Sequence, residues 1–472
     1  MKKILLVKLS DRVFYQNAKV KAAVPHFPSL ALATLAGSVR DRGHTVKIFE
    51  YNVFKGFDNA ETAFEQMLCS FHPDAVGIGF TTPLFDEMKR VAEKVKGFDK
   101  NILVICGGPH VSAYPEETIK TAPVDVCVVG ESDFVFADVV DRIGVSSLSE
   151  VHGIAFRDGN EIKITPKDKG FLQELDKLPL PAWDLFDLSE YHMTRNMCRK
   201  NPVGWIETSR GCLYGCVYCN KNIFGQNFRA KSAERTVNEM QYMLDCGFKE
   251  IQIAEDMFTT DAVRVKKICE LIVERGMKFP WATTTGIRVD SVTPEILKAM
   301  KAAGCYRVYY GLESGSQEVL NKIHKGATVQ QARNAVQWAK DAGLEVFGFF
   351  MIGLDGETEK SMQETIDFAT SLDLDFAKMS IMSPLPGTPI FNDYKKKGYL
   401  KNVDWNKFNY YVPPEELYTH PNLSWDIIHK YYKLFYRRFY FRPSFIVKRV
   451  LKSIQTGAIV DDVRGFVQNS WF

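Results

Sequence analysis

The sequence predicts an α/β protein in which two units of alternating strands and helices follow one another. From residue 3 to about 140, strand-length apolar runs (ILLVKL, TVKIFEY, AVGIGFTT, ILVICGG, DVCVVGE) alternate with helix-length stretches, among them Leu30 to Arg42 and Ala60 to Ser70. That rhythm belongs to an open parallel sheet, so residues 1–145 read as a Rossmann-like domain. A second series starts at Val203 with VGWIETS, EIQIAE, WATTTGIRV, YRVYYGLES, VFGFFMIG and AKMSIMS. Its six βα units predict a partial (β/α)6 TIM-type barrel over residues 201–395, with chemistry at the carboxyl ends of the strands.

Between the two, residues 146–200 hold a hairpin, GIAFRDGNEIKIT, turning at Asp158-Gly159, and then LDKLPLPAWDLFDL, read as a linker. Residues 396–472 lose the rhythm and are expected to form a mainly helical C-terminal extension. Its stretch from Lys430 to Lys452 carries eight Lys or Arg, no acid and many aromatics, and two helices broken at Pro443 are expected. Cations with Phe and Tyr suit peripheral contact with an anionic membrane, or capture of an acidic, lipid-like substrate. The plainer reading packs the aromatics on the barrel and leaves the cations in water.

At roughly 150 residues per domain, 472 residues suggest about three domains. A composition of 46% hydrophobic and 25% charged residues is globular, and a net charge of +3 argues against a dedicated nucleic-acid binder. No apolar run approaches the ~18 residues of a membrane span, and MKKILLVKLSDRVFY reads as a first strand, so a cytoplasmic protein is expected. Ten cysteines without paired spacing outside one cluster are no disulfide framework. The seven outside the cluster are expected to be buried thiols.

That cluster is Cys212, Cys216 and Cys219, spaced Cys-x3-Cys-x2-Cys in TSRGCLYGCVYCN directly after a strand. Three thiolates are one short of a closed zinc site, and no fourth cysteine or neighbouring histidine completes it. On an iron–sulfur cube the same three leave one iron open to a small molecule. Gly211 and Gly215 are expected to free the backbone to wrap the cluster.

This spacing, with Tyr218 before the last cysteine, resembles the signature of the radical S-adenosylmethionine (SAM) superfamily, and the likeness continues over residues 203 to 391. It implies a 4Fe-4S cluster on the three cysteines, SAM chelated at the open iron, and reductive cleavage to a 5′-deoxyadenosyl radical that takes hydrogen from a substrate. The protein supplies orientation and exclusion around that chemistry. The resemblance counts Tyr218 among the SAM contacts and adds Glu255 and Asp256 for the methionine ammonium, Arg288 for the carboxylate, Glu313 for the ribose hydroxyls and Gly353, in FFMIGLDGETEKS, near adenine. Alone, an acidic pair after a strand is more often a helix cap. Asp355 stands where the family commonly has proline, and SPLPGTPIF matches its sixth-strand ending. No catalytic residue is assigned beyond the cluster.

An open α/β domain ahead of this barrel resembles the cobalamin-binding subgroup, which includes methylases and the anaerobic magnesium-protoporphyrin ester cyclase. The segments PSLALATLAGSVRDRGHTVKIFEY, GGPHVSAYPEE and VVGESDFVFADVV carry that likeness. It implies cobalamin at the strand ends, where Thr81, Thr82, Gly107, Gly108, Gly130 and Glu131 share a rim; the plainer reading is that the glycines only make tight turns. Asp-x-His-x-x-Gly is absent, since DRGHTV misplaces His44, so no histidine ligand to cobalt is expected; His26, His110 and His192 receive no role. The implied reaction is methylation of an unreactive carbon of a small or lipid-like substrate, with SAM both methylating cobalamin and making the radical, and electrons from a flavodoxin or ferredoxin. Radical cyclisation or rearrangement is the alternative. The tRNA methylthiotransferases pair similar domains but carry three cysteines in the first, whereas Cys69, Cys106 and Cys127 stand isolated on predicted core segments. A non-catalytic cobalamin sensor would leave the three-cysteine motif without a use.

Overall fold

The computed structural model describes residues 1–12, 26–54, 56–166, 172–402, 404–409, 411–457, 459–460 and 462–463. In the first unit, strands β1 (Lys3–Lys8), β2 (Thr45–Glu50), β3 (Ala75–Gly79), β4 (Leu103–Gly107), β5 (Val126–Val128), β6 (Ile154–Asp158) and β7 (Glu161–Ile164) form one sheet in the order β2-β1-β3-β4-β5-β6-β7. The first five are parallel, as predicted. The hairpin β6–β7 does not stand apart: it pairs antiparallel with β5 and extends the same sheet. Strand β1 is an unbroken apolar run because both of its faces are covered. Leu5 and Val7 pack with Phe64, Leu68, Met88 and Val91 of helices Phe57–Phe71 and Phe85–Phe98. Ile4 and Leu6 face a second core with Leu32, Ala36 and Phe136.

That second core runs without a break into the other unit, through Ile206, Trp183 and Phe248. Trp183, from the proline-punctuated segment, is buried between Phe186 and Phe248. The segment is thus a packed joint between the units.

The second unit holds β8 (Val203–Ile206), β11 (Glu250–Ile253), β12 (Trp281–Ile287), β13 (Cys305–Glu313), β14 (Glu345–Ile352) and β15 (Phe376–Ile381), all parallel and in sequence order, with β8 and β15 as the edges. A two-stranded antiparallel ribbon, β9 (Ser209–Arg210) and β10 (Arg229–Ala230), stands outside it. The intervening helices begin where Ser232, Asp261, Thr293, Thr328 and Thr358 accept the backbone N–H three residues on, which answers an otherwise orphaned donor.

The amino end of this sheet is sealed. Residues 196–200 cross it: Arg307 donates to Asn196 O (2.8 Å), Gln252 to Met197 O (3.1 Å), and Glu250 accepts the N–H groups of Arg199 (2.6 Å) and Lys200 (2.9 Å). Burial works against charge on Glu345, but Arg307 and Lys452 outweigh it and pull the carboxyl down to about 2.

Helices Trp425–Tyr440 and Pro443–Thr456 meet at Pro443, as predicted. In the first, Tyr431, Phe435 and Phe439 are buried, and the Tyr436 and Tyr440 hydroxyls donate to Met379 O (3.0 Å) and Ala377 O (2.6 Å), so the aromatics do pack on the sheet. The second reverses the pattern. Lys448 pairs with Asp373, and Lys452 with Asp375 (2.9 Å) and Glu345 (3.1 Å), while Ile446, Val447, Val450, Leu451 and Ile454 are exposed. Among the described residues, no helix is long and apolar enough to cross a membrane.

Candidate functional site

The β9–β10 ribbon brackets the loop of the three cysteines. Gly211 has φ 80°, and a Cβ there would lie 1.8 Å from Asn227 O, so only glycine fits. Gly215 is different: its φ is not positive, and a Cβ would meet only the Gln226 side chain at 3.3 Å. Backbone pairing pins the loop from two sides, with Val217 N on Ile323 O (3.2 Å) and Ile390 N on Val217 O (3.0 Å).

Cys216 is buried; Cys212 and Cys219 are half-buried. The three share one electrostatic locus with Lys221. Burial lowers the Lys221 ammonium, but Cys219 and Cys212 beside it outweigh burial and raise it. Burial pushes the Cys219 thiol up, opposed by Lys221 and reinforced by Asp256 and Cys216. Among the described residues, no three His, Cys, Asp or Glu side chains converge at the distances of a single metal ion. On an iron–sulfur cube each thiolate takes a different iron, so three cysteines on one loop fit such a cluster and leave its fourth iron open.

Of the other cysteines, Cys106, Cys127, Cys198, Cys269 and Cys305 are buried as expected, but Cys69 is exposed and Cys246 half-buried. Cys106 and Cys127 are neighbours in register on β4 and β5, inside the sheet. Cys69 lies on the outer side of helix Phe57–Phe71, apart from both, so the first unit gathers no three-cysteine site among these residues.

The residues expected around SAM divide into two kinds. Glu255 is buried, and its oxygens take Ser209 N (3.0 Å), Ser209 Oγ (2.5 Å) and Thr208 N (2.5 Å), which locks the chain leading into the loop. Asp256 is the exposed member of the pair, beside Lys221 and Cys219. Arg288 is buried over the Tyr214 ring (3.2 Å), with Nε and Nη2 on Asp290 (2.8 Å each) and Cys216 close by. Glu313 is held at φ 60°, a conformation costly for a residue with a Cβ and characteristic of functional sites. Its carboxylate meets Lys325 (2.8 Å) and lies against Tyr218, whose ionisation is pushed far up by burial, Glu313 and Cys216. Sequence reasoning missed Lys325; the signal was the run Ile323-His324-Lys325-Gly326 beside the cysteine loop, visible only in space.

Gly353 directly follows β14 and leads into a tight turn, in which Glu357 N donates to Leu354 O (3.1 Å) and Gly356 has φ 75°. Asp355 takes the second position of this type II arrangement, where proline is favoured but not required, so the departure from the family pattern leaves the turn intact. Glu357 is fully buried; burial raises its carboxyl to about 7, against hydrogen bonds from Leu354 and Gly353 N–H.

At the carboxyl end of the first sheet, Gly108 (φ 104°) lies so close to Phe80 that a Cβ would be 2.6 Å from its carbonyl oxygen. Thr81 is exposed and Thr82 buried, with Thr82 Oγ1 3.2 Å from His110 Nδ1. His110 Nε2 is buried with no partner among the described residues, ringed by Phe80, Phe85, Tyr114 and Trp405, and burial lowers the imidazole to about 4. Gly107 is half-buried, and Gly130 donates to Ser112 Oγ (3.0 Å). Glu131 is already engaged by Arg210 (3.0 Å) and Arg229 (2.7 Å). The rim thus presents glycine backbone at Gly107, Gly108 and Gly130, with the buried His110 Nε2 behind it.

The rim abuts the cysteine loop. Asn222 Nδ2 donates to Gly387 O (3.0 Å), and a Cβ on Gly387 would be 3.1 Å from Cβ of Ala113, in the helix that follows β4.

The Radical SAM superfamily profile matches residues 206–369, and the B12 binding domain profile residues 20–140. An uncharacterized methyltransferase of Pyrococcus horikoshii is 33% identical over 90% of this chain and 90% of its own. The cytidylyl-2-hydroxyethylphosphonate methyltransferase of Streptomyces wedmorensis is 26% identical over 84% of this chain and 82% of its own. Among solved structures, the cobalamin-dependent SAM radical enzyme OxsB with aqua-cobalamin bound shares the fold, at TM-score 0.73 and 19% identity, over 99% of this chain and 72% of that one. The cofactors that go with these two domains are a 4Fe-4S cluster, SAM and cobalamin. The chain belongs to the radical SAM superfamily, as a member that carries a B12-binding domain ahead of its SAM domain.

Proposed function

We propose that this protein is a cobalamin-dependent methyltransferase acting on an unreactive carbon of a small molecule. The observation that carries the reading is the contact at Gly387: the rim of the B12-binding domain and the cysteine loop meet at one open end of the second sheet. Bound there, the cluster with SAM supplies a hydrogen-abstracting radical, and cobalamin supplies the methyl group. Cys212, Cys216 and Cys219 would hold the cluster, and Thr81, Thr82, Gly107, Gly108 and Gly130 would border the corrin. Asp256 would receive the SAM ammonium, Arg288 Nη1 its carboxylate, Glu313 the ribose and Gly353 the adenine. Two of these and the loop itself are fixed before binding: Glu313 by Lys325, Arg288 by Asp290, and the chain ahead of Cys212 by Glu255. Preset donors and acceptors need no reorganisation at the reacting step.

The test is anaerobic purification with iron and hydroxocobalamin, then SAM carrying a labelled methyl, an extract of candidate substrates and a reduced flavodoxin or ferredoxin as the electron source. Stoichiometric cobalamin and label in a carbon-bound product are expected. Consumption of SAM without an added methyl would replace transfer by cyclisation or rearrangement.

We also propose a cytoplasmic protein that rests on a lipid surface through helix Pro443–Thr456. The face that would enter the headgroup region is the aliphatic stripe Ile446, Val447, Val450, Leu451 and Ile454. Co-sedimentation with anionic vesicles should fall severalfold in Val450→Asp/Leu451→Asp. Equal sedimentation of the two proteins would end this idea.

A further inference from the structure

The interior face of the second sheet carries an aromatic slab with one cation beside it. In register across β13, β14 and β15, Tyr309 neighbours Phe347, Phe347 neighbours Phe376, and Phe349 neighbours Lys378. The rings of Tyr309, Phe347 and Phe349 lie 4.8 to 5.9 Å apart, and Phe376 stacks on Phe347 at 5.8 Å, so these side chains share a face. Strand alternation puts Lys378, two residues after Phe376, on that face too, while Ala377 and Met379 turn to the buried core beneath the outer helices. Gly286 and Gly311 stand in the same upper layer on β12 and β13. A Cβ on Gly286 would come 3.7 Å from the Phe349 ring, so the two glycines leave room in front of the slab. Residues 196–200 close the amino end of this face.

Three other interior cations of the second unit are paired: Arg307 with Glu345 (2.6 Å), Lys325 with Glu313 (2.8 Å), Arg288 with Asp290 (2.8 Å). Lys378 is exposed, and among the described residues no carboxylate or carbonyl accepts from its ammonium. We propose that Lys378 anchors an anionic group of the substrate, carboxylate or phosphate, whose apolar portion lies on Tyr309, Phe347 and Phe349. This rests on reading the chamber as the substrate site of the radical enzyme. The side chains packed around Lys378 desolvate its ammonium and lower its pKa, while its end stays accessible to an incoming anion. A charge-assisted bond to the incoming anion recovers that cost, and the aromatic wall selects for an apolar body next to it.

The test uses the reconstituted holoenzyme with SAM and two probes of equal shape, 2-naphthoate and the neutral 2-naphthalenemethanol, titrated calorimetrically. Wild type should bind the naphthoate at least tenfold more tightly than the alcohol, and Lys378→Gln should abolish that difference, while Lys378→Arg retains most of it. Naphthoate should also slow acetylation of Lys378, read by peptide mass spectrometry. No binding to wild type, equal binding of both probes, or unchanged naphthoate binding by Lys378→Gln would overturn the assignment, as would a tenfold loss of SAM affinity in that variant. Formation of 5′-deoxyadenosine by wild type is measured alongside. Its absence would remove the radical reading, which the probe titration does not depend on.

Discussion

Cys216→Ala, reconstituted with iron and sulfide, is expected to form no stable 4Fe-4S cluster and to yield 5′-deoxyadenosine at the level of an enzyme-free control. Two thiolates cannot hold a cube against solvent, and Cys216 is the buried member of the three. Its loss also removes the sulfur that lies beside Arg288 and Tyr218. Iron content, the visible absorption of the cluster and SAM cleavage should fall together, and far-ultraviolet circular dichroism should stay near wild type because the alanine only shortens one loop side chain. Cys106→Ala or Cys127→Ala should leave cluster and cleavage intact, since both thiols are sealed in the first sheet. A full cluster in Cys216→Ala would move the ligand set to other residues and remove the central assignment.

Much of this site is legible in the sequence because its signals are local. The cysteine spacing survives any packing, and strands buried on both faces announce themselves as unbroken apolar runs. The acidic pair was not legible in this way: Glu255 and Asp256 lie in a bend beyond the end of β11 (Glu250–Ile253), where strand alternation no longer sets which side a residue takes. The long-range pairings were not legible. Strand β7 is largely exposed, with nothing in EIKI to say that it extends the first sheet. Helix Pro443–Thr456 turns its cations inward because Glu345, Asp373 and Asp375, distant in sequence, wait for them. Glu131 reads as a rim residue until two arginines from the second unit are found on it.

Those arginines carry the other large effect: Arg210→Met should destabilise the protein by about 3–5 kcal/mol, the usual result of removing one partner from a buried ion pair. Arg210 and Arg229 are directly opposed on the β9–β10 ribbon, an arrangement of like charges that is unfavourable by itself. Asp133 and Glu131 of the B12-binding domain make it favourable. Arg210 forks onto both Asp133 oxygens (2.6 and 3.0 Å) and reaches Glu131 (3.0 Å) and Glu207, while Arg229 takes the other Glu131 oxygen (2.7 Å). Burial works to raise Asp133, but Arg210 overrides it and holds the carboxyl below its ordinary range; Glu207 stays raised by burial even so. Methionine in place of Arg210 would take the guanidinium from Asp133 and Glu207 and leave Glu131 with Arg229 alone. Because the ribbon closes the cysteine loop at its base, the loss should appear in two readouts: a lower thermal midpoint and lower cluster occupancy after reconstitution. Arg210→Lys keeps the charge but not the fork and should fall between wild type and methionine. Arg210→Met/Asp133→Leu should recover part of the loss, because replacing both partners with apolar groups leaves fewer stranded charges. If Arg210→Met instead melts with wild type and loads a full cluster, the contact between the B12-binding domain and the ribbon is dispensable, and the alignment of the two cofactor sites must rest on the shared apolar core alone.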